Sequence, residues 1–485
     1  MSTTTKASRP PVPRFEPLPC VLGDLPDVDG GSEFELECGD LVVLEDRSRP
    51  SGPVVRLPVA IARTANGNAL PDPVVYLAGG GGHAHLNYGA WMIDNVGSAF
   101  VADRDFIQYN QRGAPDTDPP LDCPGLTEFL FDLANDDISY NEWADRHTAY
   151  LRECRDRLVG QGIDLSQYNS AVNAADAADL LLALGYDQAN FYGTSYGTRL
   201  GLALVRDFPE SVRSIILDSV YPPEVGYYTE YATTIDRALS ALFDSCSSQP
   251  KCADRFPKLE EEFYSIVDRL NDDPARVTAS FGRMWLDGGT FMDAIAVFLY
   301  SPRSVVVAPM AIERAANGDY SMLSQVLVGA ITAPEINWAM FYSMQCREEV
   351  PYESMEQAEV LAENLPAPVV EQFTDQFADF HFSLCEDWGS GQADPAAAVR
   401  VESDIPALVF AGVFDPATPP GWSRSAAAGL SNSFFFEFPG EGHGVMRSNG
   451  CGLEIGVAFV DDPASPPDAS CLVDEKAPLF DLSDG

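Results

Sequence analysis

The sequence predicts an α/β fold, a mostly parallel sheet with helices on both faces, interrupted by a long helical insertion. Three observations lead there. At 485 residues the chain is too long for one ordinary core. β-Branched runs alternate with amphipathic helical stretches as far as residue 220. The same alternation resumes near residue 405 after a stretch with no clear strand series.

Taken in order, residues 1–35 are rich in proline and acid and read as an irregular leader. Strand-like runs follow at 41–44, 54–62, 74–77 and 106–109, each bounded by Gly, Pro, Asn or Asp. Helical spacing covers 138–159 and 167–185; in the second, Ala174, Ala177, Ala178, Leu181 and Leu182 recur on one face. A short strand at 189–192 leads into a glycine-flanked serine, a helix at 196–207 and an apolar strand at 214–217. Tyr221-Pro222-Pro223 breaks the pattern. After the insertion come a strand at 405–411, a helix at 421–429, a strand at 433–438 and a helix at 452–460. The expected organisation is a leader (1–35), one α/β domain in two pieces (36–220 and 401–485) and a mainly helical cap (221–400).

Composition narrows the function classes. The net charge of −43 argues against nucleic acid as a partner, because phosphate binding needs a basic surface. Basic residues are nearly all arginine, the lysines being Lys6, Lys251, Lys258 and Lys476. Such acidity fits a soluble surface, or adaptation to high salt, where screening relieves carboxylate repulsion. No apolar run is long enough to span a membrane.

The ten cysteines include no Cys-x-x-Cys and no zinc-finger spacing, so disulfides in an oxidising compartment are expected. Pairing neighbours is the simplest connectivity: Cys20–Cys38, Cys123–Cys154, Cys246–Cys252, Cys346–Cys385 and Cys451–Cys471. Sequence leaves other pairings open. A secreted or periplasmic protein follows, although residues 1–19 hold no signal-peptide apolar segment; a cytoplasmic protein with free thiols is the alternative.

Gly193-Thr194-Ser195-Tyr196-Gly197 fits G-x-S-x-G between a strand and a helix, which places Ser195 on a strained, exposed turn. A serine hydroxyl near neutral pH needs an imidazole to take its proton. Two histidines follow Ser195. His443, in Gly442-His443-Gly444 just after a strand, is the expected base; His381, in an aromatic stretch, reads as a packing residue. Asp415, after the strand at 405–411, is the expected acid, with Asp461 and Glu441 as weaker candidates. Gly79-Gly80-Gly81-Gly82 follows a strand and can turn a backbone amide toward an oxyanion. The amide of Tyr196 would be the second donor. A dinucleotide-binding loop is a poor match, because His83-Ala84-His85 follows where a further glycine is needed.

With these motifs in place, the chain resembles the prolyl aminopeptidase and tripeptidyl aminopeptidase group of α/β-hydrolases, from about Cys20 to Cys471. Residues 77–82 look like the group's His-Gly-Gly-Pro-Gly loop, with Gly80 at the oxyanion-hole glycine. Asn110-Gln111-Arg112-Gly113 looks like its Asp-Gln-Arg-Gly. The stretches 168–198, 412–419, 442–444 and 463–471 are similar to the tripeptidyl branch. Ala78, Gly81, Asn110 and Pro115 depart from the group's pattern; none belongs to the expected triad. The resemblance implies an α/β-hydrolase fold with a helical cap, no metal or organic cofactor, and a peptide substrate cut through an acyl-enzyme. It also implies cap carboxylates that receive the substrate's free amine, for which Glu348 and Glu349 are the candidates. Gly80, Gly81 and Tyr196 would line the oxyanion hole. A carboxylesterase remains the competing enzyme, since fold alone does not choose the substrate, and a non-catalytic binding protein the competing class.

Overall fold

The computed structural model describes residues 11–20, 34–65, 69–83, 85–279, 282–324, 326–327 and 336–482. Among these described residues, eleven strands form two sheets. They are β1 (Arg14–Leu18), β2 (Phe34–Leu44), β3 (Val54–Thr64), β4 (Val74–Leu77), β5 (Phe106–Tyr109), β6 (Ala189–Ser195), β7 (Val212–Val220), β8 (Ala275–Ala279), β9 (Gly282–Leu286), β10 (Ala407–Gly412) and β11 (Ser433–Phe438). Nine make one sheet in the order β1-β2-β3-β5-β4-β6-β7-β10-β11. Pairing is antiparallel from β1 to β5 and parallel from there to β11. This is an α/β-hydrolase fold.

Period-two alternation sorts the central strands between two cores. Val75 and Leu77 of β4, Phe191 of β6 and Val409 of β10 face one apolar layer. Val74 and Tyr76, Tyr192, and Leu408 and Phe410 from the same strands face the other. Both faces of these strands are covered, as a parallel sheet requires. The helix Ser170–Leu184 on the first face is bounded as its sequence dictates. Asn169 caps it by accepting the Val172 amide at 3.0 Å, and Gly185 ends it at φ 82°.

Two features correct the sequence expectation. Of the supposed irregular leader, residues 1–10 and 21–33 lie outside the described residues, but Arg14–Leu18 forms edge strand β1. Its signal is weak because RFEPL carries charge and a proline, which suit an edge. The insertion, which shows no clear strand series in sequence, holds one strand pair: β8 and β9 pair antiparallel and bury Val277, Met284 and Leu286 in the cap.

The cap core packs the helices Tyr227–Ser248, Leu259–Asp272, Gly288–Phe298 and Ala308–Ala316 together. A second helical layer joins Trp338–Glu348 and Asp379–Cys385 to Tyr140–Gly160, a helix that precedes the insertion in sequence. The five disulfides join sequence neighbours: Cys20–Cys38, Cys123–Cys154, Cys246–Cys252, Cys346–Cys385 and Cys451–Cys471. Among the described residues no helix is long and apolar enough to cross a membrane.

Candidate active site

Ser195 ends β6 and caps the helix Tyr196–Asp207, with φ 57° and ψ −126°. A non-glycine residue at positive φ is strained, and such strain gathers at functional turns. The flanking glycines are there for space. A Cβ on Gly193 would stand 2.5 Å from the Gly197 carbonyl oxygen, and one on Gly197 would stand 1.9 Å from that of Leu77.

The glycine loop runs beside the serine. A Cβ on Gly79 would meet the Ser195 Cβ at 3.0 Å. Gly80 and Gly81 hold φ 84° and 51°, and a Cβ on Gly81 would come 3.7 Å from the Tyr196 ring. The loop is braced at both ends. Gln111 Nε2 donates to the Ala78 carbonyl at 2.9 Å, and the Asn337 amide donates to the Gly82 carbonyl at 3.0 Å. The Asn110-Gln111-Arg112-Gly113 segment is therefore scaffolding. Asn110 Oδ1 accepts the Leu86 amide, and fully buried Arg112 grips Asp176 through two bonds of 2.6 and 2.7 Å.

Asp415 and His443 stand on the loops after β10 and β11. His443 Nδ1 lies 3.0 and 2.9 Å from Asp415 Oδ1 and Oδ2. Asp415 is fully buried, which by itself would raise its pKa. The charge and hydrogen bond of His443, together with bonds from Thr418, bring it below the ordinary value instead. An ionised carboxylate only accepts, so the nitrogen that donates to it is Nδ1, which leaves Nε2 as the ring nitrogen turned away from Asp415. Among the described residues no hydrogen bond joins Ser195 Oγ to His443.

Residues that sequence reasoning passed over hold the pair. Thr418 Oγ1 donates to Asp415 Oδ2 at 2.7 Å and lies 3.2 Å from His443 Nδ1; the Ala417 and Thr418 amides both reach Asp415 Oδ1 at 2.9 Å. A hydroxyl three residues after an aspartate was the available signal. Asp218 and Ser219, at the end of β7, hold the chain after the histidine. Ser219 Oγ accepts the Gly444 amide at 2.8 Å, and Asp218 accepts those of Val445 and Met446 at 2.8 and 3.0 Å.

The weaker candidates are engaged elsewhere. Glu441 accepts from Ser448 and Asn449, and Asp461 pairs with Arg104. His381 Nδ1 contacts the Phe377 carbonyl at 2.7 Å inside an aromatic cluster, where burial lowers its pKa to about 4.

Of the two acids expected to face an amine, Glu348 is held by groups of the protein itself. Its carboxylate takes the Ser170 amide, the Ser170 hydroxyl at 2.6 Å and Arg199 Nε at 3.3 Å. Glu349 meets the same guanidinium as an ion pair, without a hydrogen bond to its Oε1. Burial drives Glu349 well above the usual carboxylate range, with Arg199 opposing. Beside it, Glu353 accepts the Thr229 amide at 2.7 Å through one oxygen; the other is buried without a hydrogen-bond partner. Tyr221, Tyr227 and Trp422 form an aromatic group close by, reaching Tyr196. A cavity of about 390 Å³ borders Arg199, Arg206, Arg347 and Glu348, but Ser195 is not among its walls.

The α/β hydrolase fold family matches residues 72–241, the span that holds Ser195. The family described as TAP-like protein matches residues 368–471, which hold Asp415 and His443. A protein named Serine protease Hip1, from Mycobacterium tuberculosis, is 24% identical over 468 residues, covering 89% of this chain and 86% of its own. A tripeptidyl aminopeptidase from Streptomyces lividans is 28% identical over 193 residues, 39% of this chain and 36% of its own. Among solved structures, a proline iminopeptidase from Mycobacterium smegmatis has 15% identity and a TM-score of 0.35, covering 90% of this chain and 98% of that one.

Proposed function

This chain belongs to the α/β-hydrolase peptidases, and from that premise we propose that it is a serine aminopeptidase releasing residues or short peptides from free N-termini. The observation that carries the reading is the buried Asp415 carboxylate bonded to His443 Nδ1 on the same strand-end rim as the strained Ser195 turn. Ser195 Oγ attacks the scissile carbonyl carbon as its proton passes to His443 Nε2. The amides of Gly80 or Gly81 and of Tyr196 receive the oxyanion. The C–N bond then breaks, and His443 returns the proton to the departing amine. A water repeats the sequence on the acyl-ester, freeing the peptide fragment and the serine.

Selection of a free amine is supported by the cap. Glu349 and Glu353 lie side by side, each with a buried Oε1 that makes no hydrogen bond, and an ammonium leaving water needs a carboxylate partner. The five disulfides support residence in an oxidising compartment outside the cytoplasm.

The test is a panel of free and N-acetylated peptide anilides beside short acyl esters, with Ser195→Ala as control. Free-amine peptides should be cleaved at least ~100-fold faster than blocked ones, in line with a charge-assisted contact worth about 3 kcal/mol. Equal rates would remove the amine site, and turnover of esters alone would make the protein an esterase.

A further inference from the structure

The cap touches the rest of the molecule at the two loops that bear Asp415 and His443. Phe414, next to Asp415, is 1% exposed, and its side chain sits in the apolar core of the cap with Phe291 and Ile295; Val413 packs on the same core. From the cap helix Tyr227–Ser248, Arg237 sends Nη1 to the Val413 carbonyl at 2.6 Å and Nη2 to the Asp415 carbonyl. On the other loop, the His443 amide donates to the Tyr300 carbonyl at 2.9 Å. A Cβ on Gly442 would stand 2.2 Å from the Leu299 carbonyl oxygen, and the Tyr300 ring meets the imidazole edge-on at 5.2 Å.

We propose that Arg237 is a positioning residue of the catalytic pair, a cap guanidinium that fixes the backbone from which Asp415 reaches His443. The inference rests on the triad reading above. A guanidinium is planar, and two of its donors end on carbonyls that flank a single residue, Phe414. That fork locks the orientation of both peptide planes, whereas a lysine could satisfy them only as a point charge. Arg237 makes no salt bridge among the described residues, and its Nε is buried without a hydrogen-bond partner. A half-buried cation kept for stability alone would be expected to pair with a carboxylate. This one instead ends on the carbonyl of the proposed catalytic acid. The imidazole loop is tied to the same cap by the Tyr300 carbonyl, so both members of the pair have an anchor in the cap beside those on their own domain.

The experiment compares Arg237→Met and Arg237→Lys with the parent protein. Working sites are counted by exhaustive labelling with a fluorophosphonate. kcat and KM are measured on a peptide anilide, and the rate constant of Ser195 phosphonylation is measured separately. Per labelled site, Arg237→Met should lose 10- to 100-fold in kcat and a similar factor in phosphonylation rate. KM should stay within twofold, and Arg237→Lys should lie between the two. A lower melting temperature with unchanged kcat and phosphonylation rate per site would overturn the proposal. If Arg237→Met yields no folded protein, a parental rate per site in Arg237→Lys overturns it equally. Labelling that persists in Ser195→Ala would instead sink the triad reading itself, so the two failures are told apart.

Discussion

His443 Nδ1 lies 2.9 Å from Asp415 Oδ2, and Thr418 Oγ1 donates to that same oxygen from 2.7 Å. The carboxylate thus holds both the imidazole and the threonine that steadies it. Asp415→Asn keeps the size of the side chain but can turn an NH₂ toward Nδ1, which favours the wrong tautomer. We expect kcat to fall by roughly 10⁴, as for such a change in other serine triads. Steady-state kinetics check it; a loss under tenfold would mean that another group orients the imidazole.

Thr418→Val removes one hydrogen bond to a buried anion while keeping the branched shape. A bond to a charged group is worth about 1.5–3 kcal/mol, so kcat should fall by roughly 10- to 100-fold. Thr418→Ser should retain most activity. A serine variant as poor as the valine variant would point to the methyl group as the important part.

The cap acids should separate by role. Glu348→Ala strips the buried Arg199 and Ser170 of a shared partner and should cost about 3 kcal/mol or more of stability, read by denaturant unfolding. Glu353→Gln should leave folding nearly intact and raise KM for free-amine peptides while sparing N-blocked ones.

Asp293, on the cap helix Gly288–Phe298, bonds Gln372 at 3.0 Å, and burial lifts its pKa to about 7 from the ordinary 3.8. The folded form therefore keeps a proton that the unfolded chain loses. Its contribution is fully present below about pH 4 and is lost as pH rises toward 7. Asp293→Asn cannot ionise. Its melting temperature relative to the parent should rise between pH 4 and 7 and level off above; a difference flat across that window would show that Asp293 titrates normally.

Local features were the legible ones. The turn at Ser195 needs only five consecutive residues, and β4, β6 and β10 announce themselves as buried apolar runs. β1 stayed hidden because an edge strand tolerates Pro17 and exposed charge. The β8–β9 hairpin is short, and its alternation through Val277, Met284 and Leu286 is interrupted by charged and small residues. In sequence Glu348 is a candidate for binding an amine and Glu353 is not. What separates them is Arg199 and Ser170, far away in the chain, and only folding brings those to one carboxylate and not the other. Arg237 reads as an ordinary helical arginine for the same reason.

The order of the strands also bears on synthesis. β10 lies against β7, yet the whole cap is made between them. While the ribosome is producing the cap, the flank of β7 that β10 will cover has no partner strand, and neither Asp415 nor His443 has yet been made. On the proposed triad, Ser195, Asp415 and His443 cannot be brought together until the segment after the cap has laid β10 and β11 beside β7.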